Sequence, residues 1–146
     1  MPMKLTIVTA RRTVLEREGV TKLVVPAAEG QITILPSHAA LMSSLAIGEM
    51  MVHSPQGVEP LAIHGGFIQV VNDEISVLAD AAERFDEIDL ERAGEARQRA
   101  QQRLERRPGV DVEGALDVDR AQRALQRAAL RERIGRRRSG FAEARA

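Results

Sequence analysis

Cysteine, tryptophan and tyrosine are absent from this 146-residue chain, and its 21 basic residues are matched by 21 acidic ones. Without a thiol there is no disulfide, no thiol nucleophile and no cysteine-ligated zinc site. Phe67, Phe85 and Phe141 are the whole aromatic inventory, which argues against the stacking platforms that grip single-stranded nucleic acid or sugars. No stretch approaches the roughly 18 uncharged apolar residues that cross a bilayer. The start, Met1-Pro2-Met3-Lys4-Leu5-Thr6-Ile7, lacks the charged head, apolar run and small-residue cleavage site of a secretory leader. These absences predict a soluble protein with no direct membrane insertion, reaching a membrane only through a partner.

What is present divides in two. A hydrophobic content of 44% is that of a foldable chain, and 146 residues suit one domain or a small domain with an appendage. Up to Glu87, six basic residues stand against eleven acidic ones, a balance of −5; beyond it the numbers are fifteen and ten, a balance of +5. All fifteen are arginine, and six of the eleven glycines fall between Gly19 and Gly66. Turn formers and β-branched residues therefore dominate residues 1–87, and Ala, Arg, Gln and Glu dominate the rest.

In the first part the apolar period is two. Leu5 and Ile7 alternate with polar neighbours, as does Glu74 to Asp80, and Thr21–Val25, Gln31–Leu35, Glu49–His53 and Phe67–Val71 are further short strands. Frequent Gly and Pro punctuation between them points to an antiparallel β-sandwich or barrel. In the second part Asp89 is placed to cap a helix carrying Ala93, Ala96, Ala100 and Leu104 on one face, stopped by Pro108-Gly109. Asp117 or Asp119 is placed to cap a second helix with Val118, Ala121, Leu125 and Ala128 on one face. Alanine faces bury little area, so at about 25 cal/mol per Å² such a hairpin docks weakly and is able to detach.

The run from Pro26 to Leu41, Pro-Ala-Ala-Glu-Gly-Gln-Ile-Thr-Ile-Leu-Pro-Ser-His-Ala-Ala-Leu, followed by Gly48-Glu49, resembles the epsilon subunits of bacterial F-type ATP synthases. Gly65-Gly66-Phe67-Ile68-Gln69-Val70, Val77-Leu78-Ala79-Asp80 and Ile88-Asp89-Leu90-Glu91-Arg92-Ala93 continue the resemblance in order, from about Met3 to Ile134. Thr33 and Ser37 stand where the family more often has Gly, and Ala40 where it has Pro. The resemblance implies an α+β chain: a sandwich of about ten strands over residues 1–87, then a two-helix antiparallel hairpin over 88–134. Residues 135–146, with Arg136-Arg137-Arg138, read as a flexible extension of that plan.

The implied function is a non-catalytic central-stalk subunit that couples proton flow to rotation and restrains ATP hydrolysis through mobile C-terminal helices. Its implied partners are the gamma subunit, the ring of c subunits and the catalytic beta and alpha subunits. With no transit-like leader, the expected location is peripheral on the cytoplasmic side of a bacterial cell membrane. By position in the family, Glu29, Gln31, His38 and Leu41 are candidate subunit contacts, although Gly30 and Pro36 are explained equally well as turn residues. Ile88, Asp89, Arg92 and Ala93, with Glu83 and with Arg123 and Arg127 on the second helix, resemble an ATP-binding set; the simpler account is a capping Asp89 beside a solvated arginine face. Arg120, Arg123, Arg127 and Arg131 are candidates for an electrostatic latch against an acidic segment of the beta subunit.

His38, His53 and His64 match no metal-ligand spacing, and Gly65-Gly66 lacks the lysine and helix of a phosphate loop, which favours a bulge or tight turn. No nucleophile or acid–base pair suggests chemistry of its own, so neither catalysis nor a required cofactor is expected, ATP being a regulatory ligand at most. Two other classes remain open. One is a stand-alone ATP-sensing module; the other is a basic nucleic-acid-binding hairpin, disfavoured by the sparse aromatics and the acidic first half.

Overall fold

Strict alternation of buried and exposed residues opens the chain: Met3, Leu5 and Ile7 point inward from strand β1 (Met3–Val8), with Lys4 exposed between them. A computed structural model describes residues 2–105 and 112–145 along the backbone, with the side chains of 2–105 and 118–136. The chain divides into two compact units, Met1–Glu87 and Ile88–Ala146.

The first unit continues with β2 (Thr13–Val20), β3 (Lys22–Ala27), β4 (Gly30–Ile34), β5 (Leu41–Ser54), β6 (Gly57–Val71), β7 (Glu74–Ala79) and β8 (Ala82–Arg84), then a 3-10 turn at Phe85–Glu87. Their order is β2-β1-β7-β6-β5-β3-β4, with β8 also on β6. The long hairpin of β5 and β6 is the spine, paired from Ser54↔Gly57 through Met50↔Leu61 to Leu41↔Val70. One wing grows from residues 66–71 of β6, which pair with β7. The other grows from residues 51–53 of β5, which pair with β3, and from residues 61–63 of β6, which pair with β8. Between the wings lies one core, including Leu5, Ile7, Leu23, Ile34, Met50, Leu61, Ile63, Ile68 and Ile75.

The β-sandwich is therefore as expected, with two differences. Eight strands are present among the described residues rather than about ten, because Glu49–His53 and Phe67–Val71 are segments of strands 14 and 15 residues long that stay paired while bending between wings. The bend falls at Gly65 (φ +80°) and Gly66 (φ +122°), inside β6 and not between strands. A Cβ on Gly66 would overlap the carbonyl oxygen of Leu78 and stand 2.7 Å from the Cα of Ala79. The pairing is also not wholly antiparallel: β1 lies parallel to β7, Leu5 opposite Ile75 and Ile7 opposite Val77.

In the second unit, α1 (Leu90–Glu105) and α2 (Val112–Arg145) pack together. Asp89 caps α1: its Oδ1 accepts from the Arg92 N–H at 3.2 Å and its carbonyl from the Ala93 N–H at 3.0 Å. Ala93 and Ala100 are buried on α1, and Ala121 and Ala128 on α2. Two expectations are corrected here. Because α2 begins at Val112, Asp117 and Asp119 lie inside it and not at its N-terminus; and its backbone stays helical to Arg145, with no break at residue 134. Pro108-Gly109 lies outside the described residues.

Candidate partner-binding surfaces

Strand alternation that buries one face leaves the other for water or for a partner. On the outer face of β1, β7, β6 and β5 that second face is not polar. Met42, Phe67 and Leu78 are 71%, 59% and 55% exposed. Phe67 sits opposite Leu78 on β7 and Ser44 on β5, and Met42 opposite Gln69, so the three gather on neighbouring strands. With Thr6, Val8 and Ser76 they line a shallow, mainly apolar depression of about 380 Å³. An exposed apolar cluster of this kind marks an interaction site more often than a scattered one does. None of the three was named as a candidate contact from the sequence, although Phe67 and Leu78 alternate with the buried Ile68 and Val77. Apolar residues in both phases of paired strands were the available signal.

The expected subunit contacts lie elsewhere on this unit. Glu29 is exposed in the turn between β3 and β4, Gln31 is exposed on β4, and Leu41 is half-buried against the core. His38, half-buried, donates from Nδ1 to the Ala39 carbonyl at 2.7 Å. Beside it Ser37 takes φ +64°, the left-handed region, and its N–H donates to Asp73 Oδ1 at 2.6 Å. The backbone conformation that suits Gly is thus kept with a Ser, held by Asp73 from the β6–β7 turn.

The histidines stay apart. His53 on β5 faces Lys22 on β3, and its partial burial followed by the Lys22 charge lowers its pKa from the ordinary 6.5. His64 is buried in β6 with Nε2 3.1 Å from Glu83 Oε1. A carboxylate only accepts, so the bond places the proton on Nε2 and leaves the buried Nδ1 with no partner among the described residues. Among the described residues no group of three or more His, Cys, Asp or Glu is placed to hold a metal.

The residues of the expected ATP set are distributed over both units. Glu83 belongs to the first, where it accepts from His64. In the second, Ile88 and Ala93 are buried, Asp89 is engaged in capping, Arg92 and Arg123 are exposed, and Arg127 is half-buried. A side-chain carbon on Gly135 would stand 2.7 Å from Leu90 Cδ2, and Arg97 Nη1 donates to Glu132 Oε2 at 2.9 Å. Residues 132–135 therefore lie opposite 90–97, which sets Arg127 roughly two turns, or about 10 Å, along the hairpin from Arg92. The groove between the helices instead gathers Arg97, Arg133 and Arg136 around Glu132, over Leu125 and Ala129. Of the latch residues, Arg120 and Arg123 are exposed, and Arg127 and Arg131 half-buried.

Residues 2–85 match the family model described as ATP synthase, Delta/Epsilon chain, beta-sandwich domain, and residues 86–134 match its long alpha-helix domain. The chain belongs to the ATP synthase delta/epsilon family. Among curated relatives it is 43% identical over 125 residues to the ATP synthase epsilon chain of Desulforamulus reducens, covering 86% of this chain and 90% of the relative. It is 42% identical over 137 residues to the epsilon chain of Herpetosiphon aurantiacus, covering 93% and 96%. A chain of the Euglena gracilis mitochondrial ATP synthase has the same fold, with a TM-score of 0.72 at 22% identity over 86% of this chain and 76% of that one. A chain of the Tetrahymena thermophila mitochondrial ATP synthase central stalk and c-ring follows, with a TM-score of 0.60 at 14% identity over 92% and 97%. This family member has no helix, among its described residues, long and apolar enough to cross a membrane.

Proposed function

We propose that the chain is a non-catalytic central-stalk subunit of a proton-translocating F-type ATP synthase, held by its sandwich and regulatory through its helices. Its sandwich docks on the gamma subunit and faces the c-subunit ring, on the cytoplasmic side of a bacterial cell membrane. Its hairpin reaches the catalytic beta and alpha subunits and restrains ATP hydrolysis. The observation that carries this reading is the exposed apolar cluster of Met42, Phe67 and Leu78, on a unit whose core is complete without it. Such a face is stabilised when a partner covers it. Glu29, Gln31, His38 and Leu41 are assigned to the remaining subunit contacts.

The test is co-purification with the gamma subunit. Phe67→Glu with Met42→Glu should weaken capture at least tenfold, since a charge in a buried apolar contact loses both packing and hydration. Capture equal to that of the wild type would remove the apolar face from the interface. A second reading, ATP as a regulatory ligand, is favoured by Arg92 and Arg123, which are exposed and carry no ion pair among the described residues. Their guanidinium forks suit phosphate oxygens. Calorimetry of the isolated chain with ATP is the measurement, and absence of heat at millimolar nucleotide overturns it together with the stand-alone sensing module.

A further inference from the structure

Glu87 is the last residue of the first unit, and Ile88 the first of the second. The chain therefore leaves the sandwich at a definite residue, and the structure has a tie there. Arg12, in the loop between β1 and β2, donates from Nη1 to Glu87 Oε1 at 3.1 Å and from Nη2 to Oε2 at 2.8 Å, across 75 residues of sequence. The same carboxylate accepts from the Arg84 N–H at 3.3 Å, and Arg84 Nη2 stands 3.5 Å from Asp86 Oδ2. The Arg12 loop is itself ordered, with the Thr9 N–H donating to the Arg12 carbonyl at 2.9 Å and the Arg12 N–H donating to Thr9 Oγ1 at 3.4 Å. A two-pronged guanidinium–carboxylate contact fixes orientation as well as distance.

We infer that the Arg12–Glu87 pair is a clasp that sets the pivot of the hairpin: closed, it holds the 3-10 turn Phe85–Glu87 on the sandwich, so that the helices depart from Ile88. Open, it releases Glu87, loosens that turn and moves the pivot back toward Arg84, lengthening the tether by at most about 10 Å, the full extension of three residues. This rests on the reading that the hairpin moves. The pair is half-exposed, with side-chain exposures of 52% for Arg12 and 34% for Glu87. Its strength is accordingly that of a switchable contact rather than a permanent weld.

Hydrogen exchange on the full chain tests it. Arg12→Ala and Glu87→Gln should each speed amide exchange of residues 85–88 by about two- to fivefold, the range an exposed two-pronged pair carries, with β1 and β7 unchanged. The charge swap Arg12→Glu with Glu87→Arg should recover part of the protection. Exchange at 85–88 unchanged in both single variants, or a swap no better protected than the singles, overturns the clasp. If the wild type fails to restrain ATP hydrolysis in a complex, the regulatory reading fails, and these exchange rates still decide whether the clasp exists.

Discussion

Single residues in this protein show how a local charge is set by what the fold brings next to it. His53 is partly buried and stands across from Lys22, and both features disfavour its charged form, burial more than the lysine. Its folded pKa lies below the unfolded value, so the unfolded chain takes up the proton first. The stability it leaves intact is complete above the ordinary histidine value of 6.5 and falls as pH drops through the lowered folded value. Lys22→Gln removes the smaller cause. An NMR titration should then show the His53 midpoint rising toward 6.5 without reaching it; an unmoved midpoint would mean that the lysine charge is fully screened. Glu87 shows the same sign for a carboxylate, held below its usual range chiefly by the hydrogen bond from Arg12 against an opposing effect of burial.

At the scale of elements, Gly66 decides whether β6 can serve both wings. Its φ of +122° is one that a residue with a Cβ rarely adopts, and the atoms a Cβ would meet are backbone of β7, which cannot swing away. Gly66→Ala should therefore cost about 3 kcal/mol, near the upper end for a single substitution. Urea denaturation measures it, and a loss below about 1 kcal/mol would show that the strand pair relaxes around the methyl group. The alternation of Glu74–Ala79 and the helix face of Ala93, Ala96, Ala100 and Leu104 were legible because periodicity reports burial directly. The continuity of β5 and β6 was not, since paired glycines in a strand read as punctuation. Nor was the parallel β1–β7 pair, because alternation reveals which face is buried but not which strand is the neighbour. The same limit hid the Arg12–Glu87 tie, whose partners lie 75 residues apart.

For the whole molecule, the distribution of charge separates the two units. The sandwich unit carries a balance of −5 and a complete apolar core, whereas the remainder carries +5, entirely through arginine. Family position and the resemblance of the motifs were readable in the sequence, while the exposed apolar face was not, because Met42, Phe67 and Leu78 come together only across three strands. If the helices act through their arginines, their effect on a catalytic complex must be screened by salt, whereas an apolar sandwich contact is not. ATP hydrolysis by a synthase complex depleted of this subunit should be inhibited by the full chain and not by a version ending at Glu87, although both bind. Raising ionic strength from about 0.05 to 0.2 M shortens the screening length roughly twofold, so the full chain should lose several-fold in inhibitory potency while its capture by gamma holds. Reversing Arg123 and Arg127 to Glu should produce the same loss at low salt. Inhibition that survives both salt and charge reversal would place the regulatory contact on the apolar face of the helices instead of on the arginine latch.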